Sequence, residues 1–245
     1  MNAALTLDNV TLGYDRHPAI HHLSAAIAKG SLTAVVGPNG AGKSTLFKGI
    51  VGELRPTTGR IVGPAAREDI AYLPQMSEID RSFPLDVENV VAMGLWRRIG
   101  AYKRVTRDHR RAIRDAIGAV GLAGFEGRSI GALSGGQMQR VLFARLLLQD
   151  APLILLDEPF AAIDRRTVDD LLGLIRRWHQ EGRTILAVLH DYEEVRRVFP
   201  ETMLLARELI AHGPTETVMC AENLVRARAV GEAFDESAGI CRRAA

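Results

Sequence analysis

The sequence predicts an α/β fold built on a mainly parallel sheet. Two apolar runs, Leu153 to Leu156 and Ile185 to Leu189, lack the alternation of a strand with one wet face. Such runs are typical of strands that helices cover on both faces. Between them, apolar residues recur at helical spacing up to Gly182, where a helix C-cap belongs. A strand, a helix and a second strand in this order favour right-handed crossovers in a parallel sheet.

The remaining elements follow from the same kind of pattern. Apolar residues of 5–12 predict an N-terminal strand, in an antiparallel β part, whose alternation slips once as at a bulge. Apolar runs at 32–36 and 70–73 predict two more strands, the first followed by a glycine-rich turn and a helix. Residues 78–149 show two helical faces and no clear strand pattern.

These patterns predict three parts of the chain. An α/β core takes residues 1–77 and 150–218, and a helical subdomain over 78–149 is inserted in it. The tail over 219–245 is weakly patterned, which favours partial disorder.

Composition and simple sequence features narrow the class of protein. The 245 residues are 47% apolar, enough for a substantial core, and the formal net charge is +2. Nucleic-acid-binding proteins usually carry a stronger basic excess, so no nucleic-acid partner is predicted. Cys220 and Cys241 have no C-x-x-C spacing, which favours free thiols in a reducing cytosol.

The sequence predicts no segment that spans a membrane. No signal-like run starts it, and no run approaches the ~18–20 apolar residues that cross a bilayer. If the protein acts at a membrane, it must therefore bind a partner that spans it.

A glycine-rich turn carries the first chemical motif. Residues 37–44 match the phosphate-loop pattern G-x-x-x-x-G-K-[ST]. The glycines allow backbone amides to turn inward around phosphate oxygens, and the helix that follows adds the positive end of its dipole. Lys43 is predicted to reach the β- and γ-phosphates, and the Ser44 hydroxyl is predicted to ligate Mg²⁺. The predicted nucleotide-binding residues of this loop are Gly37, Asn39, Gly40, Gly42, Lys43, Ser44 and Thr45.

A buried strand delivers the second motif, two adjacent carboxylates. The run that begins at Leu153 ends in Asp157 and Glu158, at the strand end where open α/β sheets bind their ligands. Asp157 can hold Mg²⁺, and Glu158 can polarise an attacking water. An acidic turn would be the simpler interpretation of this pair alone. The phosphate loop at this separation favours the catalytic interpretation.

The third motif, Leu133 to Gln137, reads Leu-Ser-Gly-Gly-Gln. Ser134 can cap the helix that follows while Gln137 stands at its third position, which makes a capping box. The capped end then presents Ser134 and the amides of Gly135 and Gly136 to an anion. A well-capped helix is the plainer interpretation, but it leaves two glycines unexplained, each of which costs a helix roughly 1 kcal/mol.

In this order the motifs resemble the nucleotide-binding subunits of ABC transporters over nearly the whole chain. The resemblance includes Gln75 after a strand, Ala-Ala-Ile-Asp at 161–164, and His190. It implies a P-loop NTPase core of the RecA-like type, with ATP and Mg²⁺ as ligands. It also implies a head-to-tail homodimer in which each ATP lies between one phosphate loop and the partner's Ser134–Gln137 element.

The resemblance further implies roles for single residues. Tyr14 stacks on adenine, and Gln75 senses Mg²⁺ and couples to the membrane subunit. Asp164 signals across the dimer, and His190 contacts the γ-phosphate beside the catalytic Glu158. Two departures from the usual pattern remove no catalytic group: Ala-Ala-Ile before Asp164 replaces the common Ser-Ala-Leu, and Met138 stands where a polar residue is more usual.

Partners and cargo are also expectations from this resemblance. Residues 82–87, 159–164 and 204–214 resemble the zinc and manganese uptake subgroup, and overall likeness favours zinc. This implies an integral-membrane permease, an extracytoplasmic metal-binding protein, and a peripheral position on the cytoplasmic face of the inner membrane. A soluble ABC ATPase of iron–sulfur cluster assembly remains the alternative. A GTPase is disfavoured because no N-K-x-D motif occurs.

A group of apolar and aromatic residues after Gln75 has two open interpretations. It forms either a groove for a short permease helix or the core of the helical subdomain. The residues are Phe83, Val87, Val90, Met93, Leu95 and Trp96.

Overall fold

The computed structural model describes residues 3–14, 17–64, 69–100, 104–161 and 163–232. The chain divides into two compact units, one of Met1–Arg67 with Gly182–Ala245 and one of Glu68–Glu181. We call them the first and the second unit. The predicted division into core, helical subdomain and tail stays a prediction.

The elements alternate as the sequence predicts. The strands are β1 (Ala3–Tyr14), β2 (His17–Ala28), β3 (Leu32–Val36), β4 (Thr58–Val62), β5 (Ile70–Leu73), β6 (Leu153–Asp157), β7 (Thr184–Val188), β8 (Glu201–Ala206) and β9 (Glu208–Pro214). The helices are α1 (Lys43–Ile50), α2 (Val87–Ala92), α3 (Trp96–Ile99), α4 (Arg107–Ala119), α5 (Gly135–Gln149), α6 (Arg165–Gln180), α7 (Tyr192–Val198), α8 (Thr215–Val218) and α9 (Ala221–Glu232). Short 3₁₀ turns cover Met76–Glu78, Met93–Leu95 and Ile130–Ala132.

The first unit begins with an antiparallel sheet in the order β2-β1-β4, which confirms the predicted N-terminal β part. The sequence predicted a single slip in β1, but its pairing with β2 shifts register at four points. One shift, between Leu7 and Val10, contains Asn9, whose φ of 51° is left-handed. Asparagine tolerates this conformation because its short side chain bonds locally, and here Nδ1 of His22 lies 2.9 Å from its side-chain oxygen.

The second sheet of the first unit has the strand order β7-β3-β8-β9. Strand β3 runs parallel to both β7 and β8, and β9 closes the edge in the antiparallel direction. The five residues of β3 and of β7 are all buried, as strands covered on both faces require. The carboxyl ends of β3 and β7 therefore lie side by side.

The second unit joins a parallel pair of strands to helices. Strand β5 pairs with β6, in register from Ile70 opposite Leu153 onward. Helix α4 buries Ile113, Ala116 and Ile117, the face that the sequence predicts. The rings of Phe143 on α5 and Trp178 on α6 stack with centroids 5.8 Å apart. The expected mainly parallel α/β fold is thus confirmed in both units.

Part of the predicted tail is helical. Residues 221–232 form helix α9, where weak patterning favoured partial disorder. Contacts distant in sequence hold it: Ala227 is buried, and Arg226 pairs with Glu208 of β9 at 3.4 Å. The rest of the predicted tail, 233–245, lies outside the described residues. Within the described ranges, no helix combines the length and apolar character that crossing a bilayer requires.

Candidate functional site

The phosphate loop joins β3 to α1 in the first unit. Gly37, Gly40 and Gly42 have φ values of 150°, 77° and 89°, which glycine alone adopts readily. A Cβ on Gly42 would lie 2.6 Å from Cγ1 of Ile20 and 2.7 Å from the carbonyl oxygen of Ala19. A Cβ on Gly37 would collide with the carbonyl oxygen of Leu205. The loop therefore takes its shape because these positions lack side chains.

Lys43 points back into this loop. It is only 6% exposed, and its Nζ donates to the carbonyl oxygens of Gly37 and Pro38 at 2.9 Å each. No side chain caps the helix that begins here, since its N-cap is Gly42. A helix end with uncapped amides and a buried ammonium attracts an anion. The geometry thus fits the predicted phosphate site.

Arg207, which sequence analysis missed, fastens the loop to its surroundings. It forms the turn between β8 and β9, and its backbone amide donates to the Ala41 carbonyl oxygen at 3.1 Å. Its own carbonyl accepts from the amide of His21 at 2.7 Å, and its Nη2 donates to the Pro18 carbonyl oxygen at 2.9 Å. Burial, then the charge of Arg207, lowers the pKa of His21. The sequence signal was weak: one arginine between two apolar strands.

Two predicted site residues lie at ends of strands in the first unit. Tyr14 ends β1 with 49% of its surface exposed. The hairpin that it begins returns through Ala19 and Ile20, the residues against Gly42. His190 is exposed and follows Leu189, whose amide donates to the Val35 carbonyl oxygen at 3.2 Å. Both residues thus lie on segments next to the phosphate loop, and their roles stay predictions.

The second unit brings together Gln75, Asp157 and Glu158. Gln75 follows β5, and the two carboxylates end the neighbouring parallel strand β6. Nε2 of Gln75 donates to Oε1 of Glu158 at 2.8 Å. Asp157 is 1% exposed, whereas Glu158 is half-buried with a left-handed φ of 49°. A carboxylate held by an amide at a strand end is suited to orient and polarise water.

The predicted capping box is confirmed. The Ser134 hydroxyl accepts from the amide of Gln137 at 3.2 Å, and the Gln137 side-chain oxygen accepts from the amide of Ser134 at 3.0 Å. Helix α5 therefore begins at Gly135 with an ordered N-terminus, where Ser134 is exposed and Gly135 and Gly136 are half-buried. A Cβ on Gly136 would lie 3.6 Å from the Ile163 side chain. The same Cβ would lie 3.8 Å from Oδ2 of Asp164, so this helix end lies beside that carboxylate.

Two residues after the motif, also missed from sequence, join these parts of the second unit. Gln139 is buried and donates from Nε2 to the Pro159 carbonyl oxygen at 2.7 Å. Nη2 of Arg140 donates to Oγ1 of Thr167 at 3.1 Å and to Oδ2 of Asp170 at 2.8 Å. Their only signal was polar character inside an apolar helix pattern. Met138, the departure noted above, is 1% exposed and belongs to the core of this unit.

Asp164 caps helix α6. Its Oδ1 accepts from the Thr167 amide at 3.0 Å, and its Oδ2 accepts from the Thr167 hydroxyl at 2.8 Å. These bonds, the backbone one first, lower the pKa of Asp164. The carboxylate is thereby held charged beside the Ser134–Gln137 element. Ala162, in the Ala-Ala-Ile-Asp stretch, lies outside the described residues.

The predicted site residues are thus divided between the units. The first unit holds the phosphate loop with Tyr14 and His190, and the second holds the two carboxylates with Gln75 and the capped motif. A family model described as ABC transporter matches residues 20–161, more than half of the chain. The chain belongs to the ABC transporter family. Its confirmed α/β fold and its family make it an ABC ATPase.

Individual relatives agree with this assignment. The manganese transport system ATP-binding protein MntB of Listeria monocytogenes is 40% identical over 225 residues, which are 90% of this chain and 94% of that protein. A metal-chelate type ABC transporter in an inward-facing conformation superposes with a TM-score of 0.82 at 29% identity, covering 93% of this ABC ATPase and 90% of that chain. A dimeric ATP-binding cassette bound to ADP and Pi has a TM-score of 0.77 at 25% identity, covering 86% and 98%.

Proposed function

We propose that this ABC ATPase is the motor subunit of an importer for zinc or manganese ions. The observation that carries the catalytic part is the hydrogen bond from Gln75 to Glu158, at the end of a buried strand. The named relatives support metal transport, since one acts in manganese transport and one is of the metal-chelate type. The sequence resemblance favours zinc and the relative's name favours manganese, so the cargo is decided by experiment below.

The proposed mechanism assigns one task to each part of the chain. The Lys43 ammonium and the first-turn amides of α1 bind the phosphates of ATP. Glu158 polarises the attacking water, and the Gln75 amide orients the carboxylate by the 2.8 Å bond. His190 is proposed to contact the γ-phosphate, and Tyr14 to stack on the adenine.

Mg²⁺ suits the oxygen donors that the sequence predicts. Ser44, Gln75 and Asp157 offer hydroxyl, amide and carboxylate oxygens, the ligands that Mg²⁺ prefers. Burial disfavours a charged carboxylate, and Asp157 is 1% exposed. A bound cation would stabilise that charge. When bound, Mg²⁺ neutralises charge that builds on the phosphate oxygens. The three residues divide between the units, and the set stays a prediction.

A homodimer completes the proposed site. In this arrangement, each ATP lies between one chain's phosphate loop and the partner's Ser134–Gln137 element. The ordered N-terminus of α5 supports this role, because a capped helix end with two glycines presents amides to an anion. The dimeric cassette with ADP and Pi supplies a structural precedent.

The proposed permease contact lies on the second unit. Of the apolar residues after Gln75, Val87, Val90 and Leu95 are buried and belong to the core. Phe83 and Trp96 are instead 58% and 69% exposed. Two exposed aromatic residues that follow the proposed coupling residue Gln75 in the same unit suit a short apolar helix of the permease. This ATPase would then lie on the cytoplasmic face of the inner membrane, with an extracytoplasmic metal-binding protein in the same system.

The first test replaces Glu158 by glutamine. The variant should bind ATP with near-normal affinity, while hydrolysis falls by at least about a hundredfold because the amide cannot act as a base. Phosphate release and binding of a fluorescent ATP analogue measure the two effects. Asp169→Asn, an exposed carboxylate on α6, is the control and should keep both. Near-normal turnover of Glu158→Gln would refute the catalytic assignment.

The second test identifies the cargo. Zinc and manganese contents are measured in metal-starved cells that lack this gene, with the wild-type or the Glu158→Gln form restored. A fall in zinc that only the wild type reverses supports zinc import, and the same result for manganese supports manganese import. If neither content changes, and no permease co-purifies from detergent-extracted membranes, the importer assignment fails.

A further inference from the structure

A segment that follows Gln75 lies beside the residues that precede Ser134, the N-cap of α5. We call residues 80–88 the strap. The backbone contacts between the strap and residues 126–133 are Glu88 amide to Glu126 carbonyl at 2.9 Å, Val87 amide to Arg128 carbonyl at 3.0 Å, Ile130 amide to Leu85 carbonyl at 3.0 Å, and an antiparallel bridge of Asp86 with Ser129. These backbone contacts hold the strap against residues 126–130, which lead to Leu133.

One side chain of the strap reaches the motif itself. Nη2 of Arg81 donates to the carbonyl oxygen of Ile130 at 3.3 Å and also to the carbonyl oxygen of Leu133. Leu133 immediately precedes Ser134, the N-cap of α5. A charged donor shared by two carbonyl oxygens fixes the peptide between Leu133 and Ser134 more firmly than a neutral bond.

The guanidinium of Arg81 bonds to these carbonyl oxygens and, among the described residues, to no carboxylate. In the part of the chain that the structure describes, no ion pair within 4.0 Å links it to a carboxylate. The neighbouring Asp80 instead accepts from the amide and hydroxyl of Ser82 at 2.9 Å and 2.6 Å. The acidic neighbour thus stabilises the local turn and leaves Arg81 to the carbonyl oxygens.

The fit between strap and turn is close on the other side as well. A Cβ on Gly131 would lie 3.1 Å from the carbonyl oxygen of Arg81. The strap backbone therefore lies so near the turn at Ile130–Ala132 that an added methyl group would press on it. Because that turn ends at Leu133, a displacement of the strap reaches the capped end of α5.

We propose that Arg81 is a positioning residue for the ATP-binding end of α5. It orients the Leu133–Ser134 peptide, and through it the amides that the partner chain's ATP would contact. Phe83 lies two residues further along the strap and is exposed, so a permease helix seated there acts on the same peptide. This inference rests on the proposed head-to-tail dimer.

The test measures ATP-driven dimerisation in the Glu158→Gln chain. Arg81→Ala should raise the chain concentration needed for half-dimerisation by at least about tenfold, because two carbonyl oxygens lose a charged donor. Arg81→Lys should restore part of the loss, since an ammonium lacks the planar fork of the guanidinium. Analytical ultracentrifugation with and without ATP gives the values.

Arg128→Ala is the matched control. This residue pairs with the strap through its backbone, while its exposed guanidinium lies over the Phe125 ring, 3.9 Å from the centroid. Its substitution should leave the half-dimerisation concentration within about twofold. The affinity of the monomer for a fluorescent ATP analogue should be unchanged in every variant, because the phosphate loop belongs to the first unit.

Three outcomes would overturn the inference. One is an Arg81→Ala chain that dimerises like its parent. Another is a tenfold loss of monomer affinity for the analogue, which would indicate general damage. If Arg81→Ala does not fold, Gly131→Ala shifts Arg81 by pushing on its backbone carbonyl, and unchanged dimerisation of that variant would be the contrary result. If the Glu158→Gln parent stays monomeric with ATP, the proposed dimer itself is refuted. That result differs from one in which the parent dimerises and Arg81→Ala has no effect.

Discussion

Gly40 and Gly42 share a left-handed backbone but differ in their surroundings. A Cβ on Gly42 would crowd Ile20 and Ala19, whereas nothing lies within 4 Å of a Cβ on Gly40. Gly42→Ala should therefore lower the affinity for ATP by at least about tenfold and reduce the melting temperature. Gly40→Ala should cost only the backbone strain of about 1 kcal/mol. Analogue binding and thermal unfolding of both variants check this, and equal losses would show that the backbone angle alone decides.

His212 makes the stability of the fold depend on pH. Burial lowers its pKa, and Glu201 opposes this shift. Its Nε2 is buried, with no hydrogen-bond partner among the described residues. The folded state favours the neutral ring, so the stabilisation is present above the unfolded pKa of about 6.5 and is lost as the pH falls below it.

His212→Asn should flatten this dependence. The free energy of unfolding in urea, measured between pH 7.5 and pH 5, should fall less steeply in the variant than in the wild type. Some slope should remain, because burial also lowers the pKa of His21. Identical slopes would contradict the assignment to His212.

At the scale of single residues, contiguous motifs could be predicted from the sequence, whereas contacts between residues distant in sequence could not. The phosphate loop could be predicted because eight neighbouring residues specify both the turn and its ligand. Arg207 contacts Ala41 and Pro18, which are far from it in sequence. Gln139 likewise meets Pro159 only after α5 and β6 pack together. A single sequence contains no local signal for such pairs.

Helix α5 combines a structural cap with a proposed ligand site, and substitution can separate the two. Ser134→Ala should lose the cap and about 1 kcal/mol of stability. Ser134→Asp should keep the cap, since aspartate accepts the same amide bond, while its charge repels phosphate. Hydrolysis should therefore fall in both variants, but thermal stability only in the first. Normal hydrolysis by Ser134→Asp would show that this helix end does not face ATP.

Among the elements, those with strong periodicity were predictable. The buried strands β6 and β7 and helices α4 and α6 matched their apolar patterns. Strand β1 was recognised, but its four register shifts break the period of two, so their number was wrong. Helix α9 was missed because it has no clear apolar stripe, and its contact of Arg226 with Glu208 joins residues that are distant in sequence.

At the scale of the whole molecule, each chain contains all the residues that it contributes to the two sites of the proposed dimer. Each chain has its own Glu158, His190 and Ser134–Gln137 element, so a homodimer has two complete sites. The Glu158→Gln dimer should therefore trap two ATP molecules per pair of chains. Quantifying nucleotide in the isolated dimer checks this number. A ratio of one would mean that the two sites are not equivalent.

The overall fold could be predicted because the order of motifs along the chain specifies one family. The proposed cargo could not, since the described residues contain no group of three or more His, Cys, Asp or Glu side chains that could hold a metal ion. The same holds for the two-unit division, which depends on contacts across the sequence rather than on any linker.

The left-handed backbone at Glu158 has a consequence for natural selection. This conformation favours glycine or asparagine and strains a longer side chain by roughly 1–2 kcal/mol. A chain selected for durability alone would lose its glutamate at this position and withstand heat better. Retaining Glu158 would then trade heat resistance for the proposed catalytic role of its carboxylate.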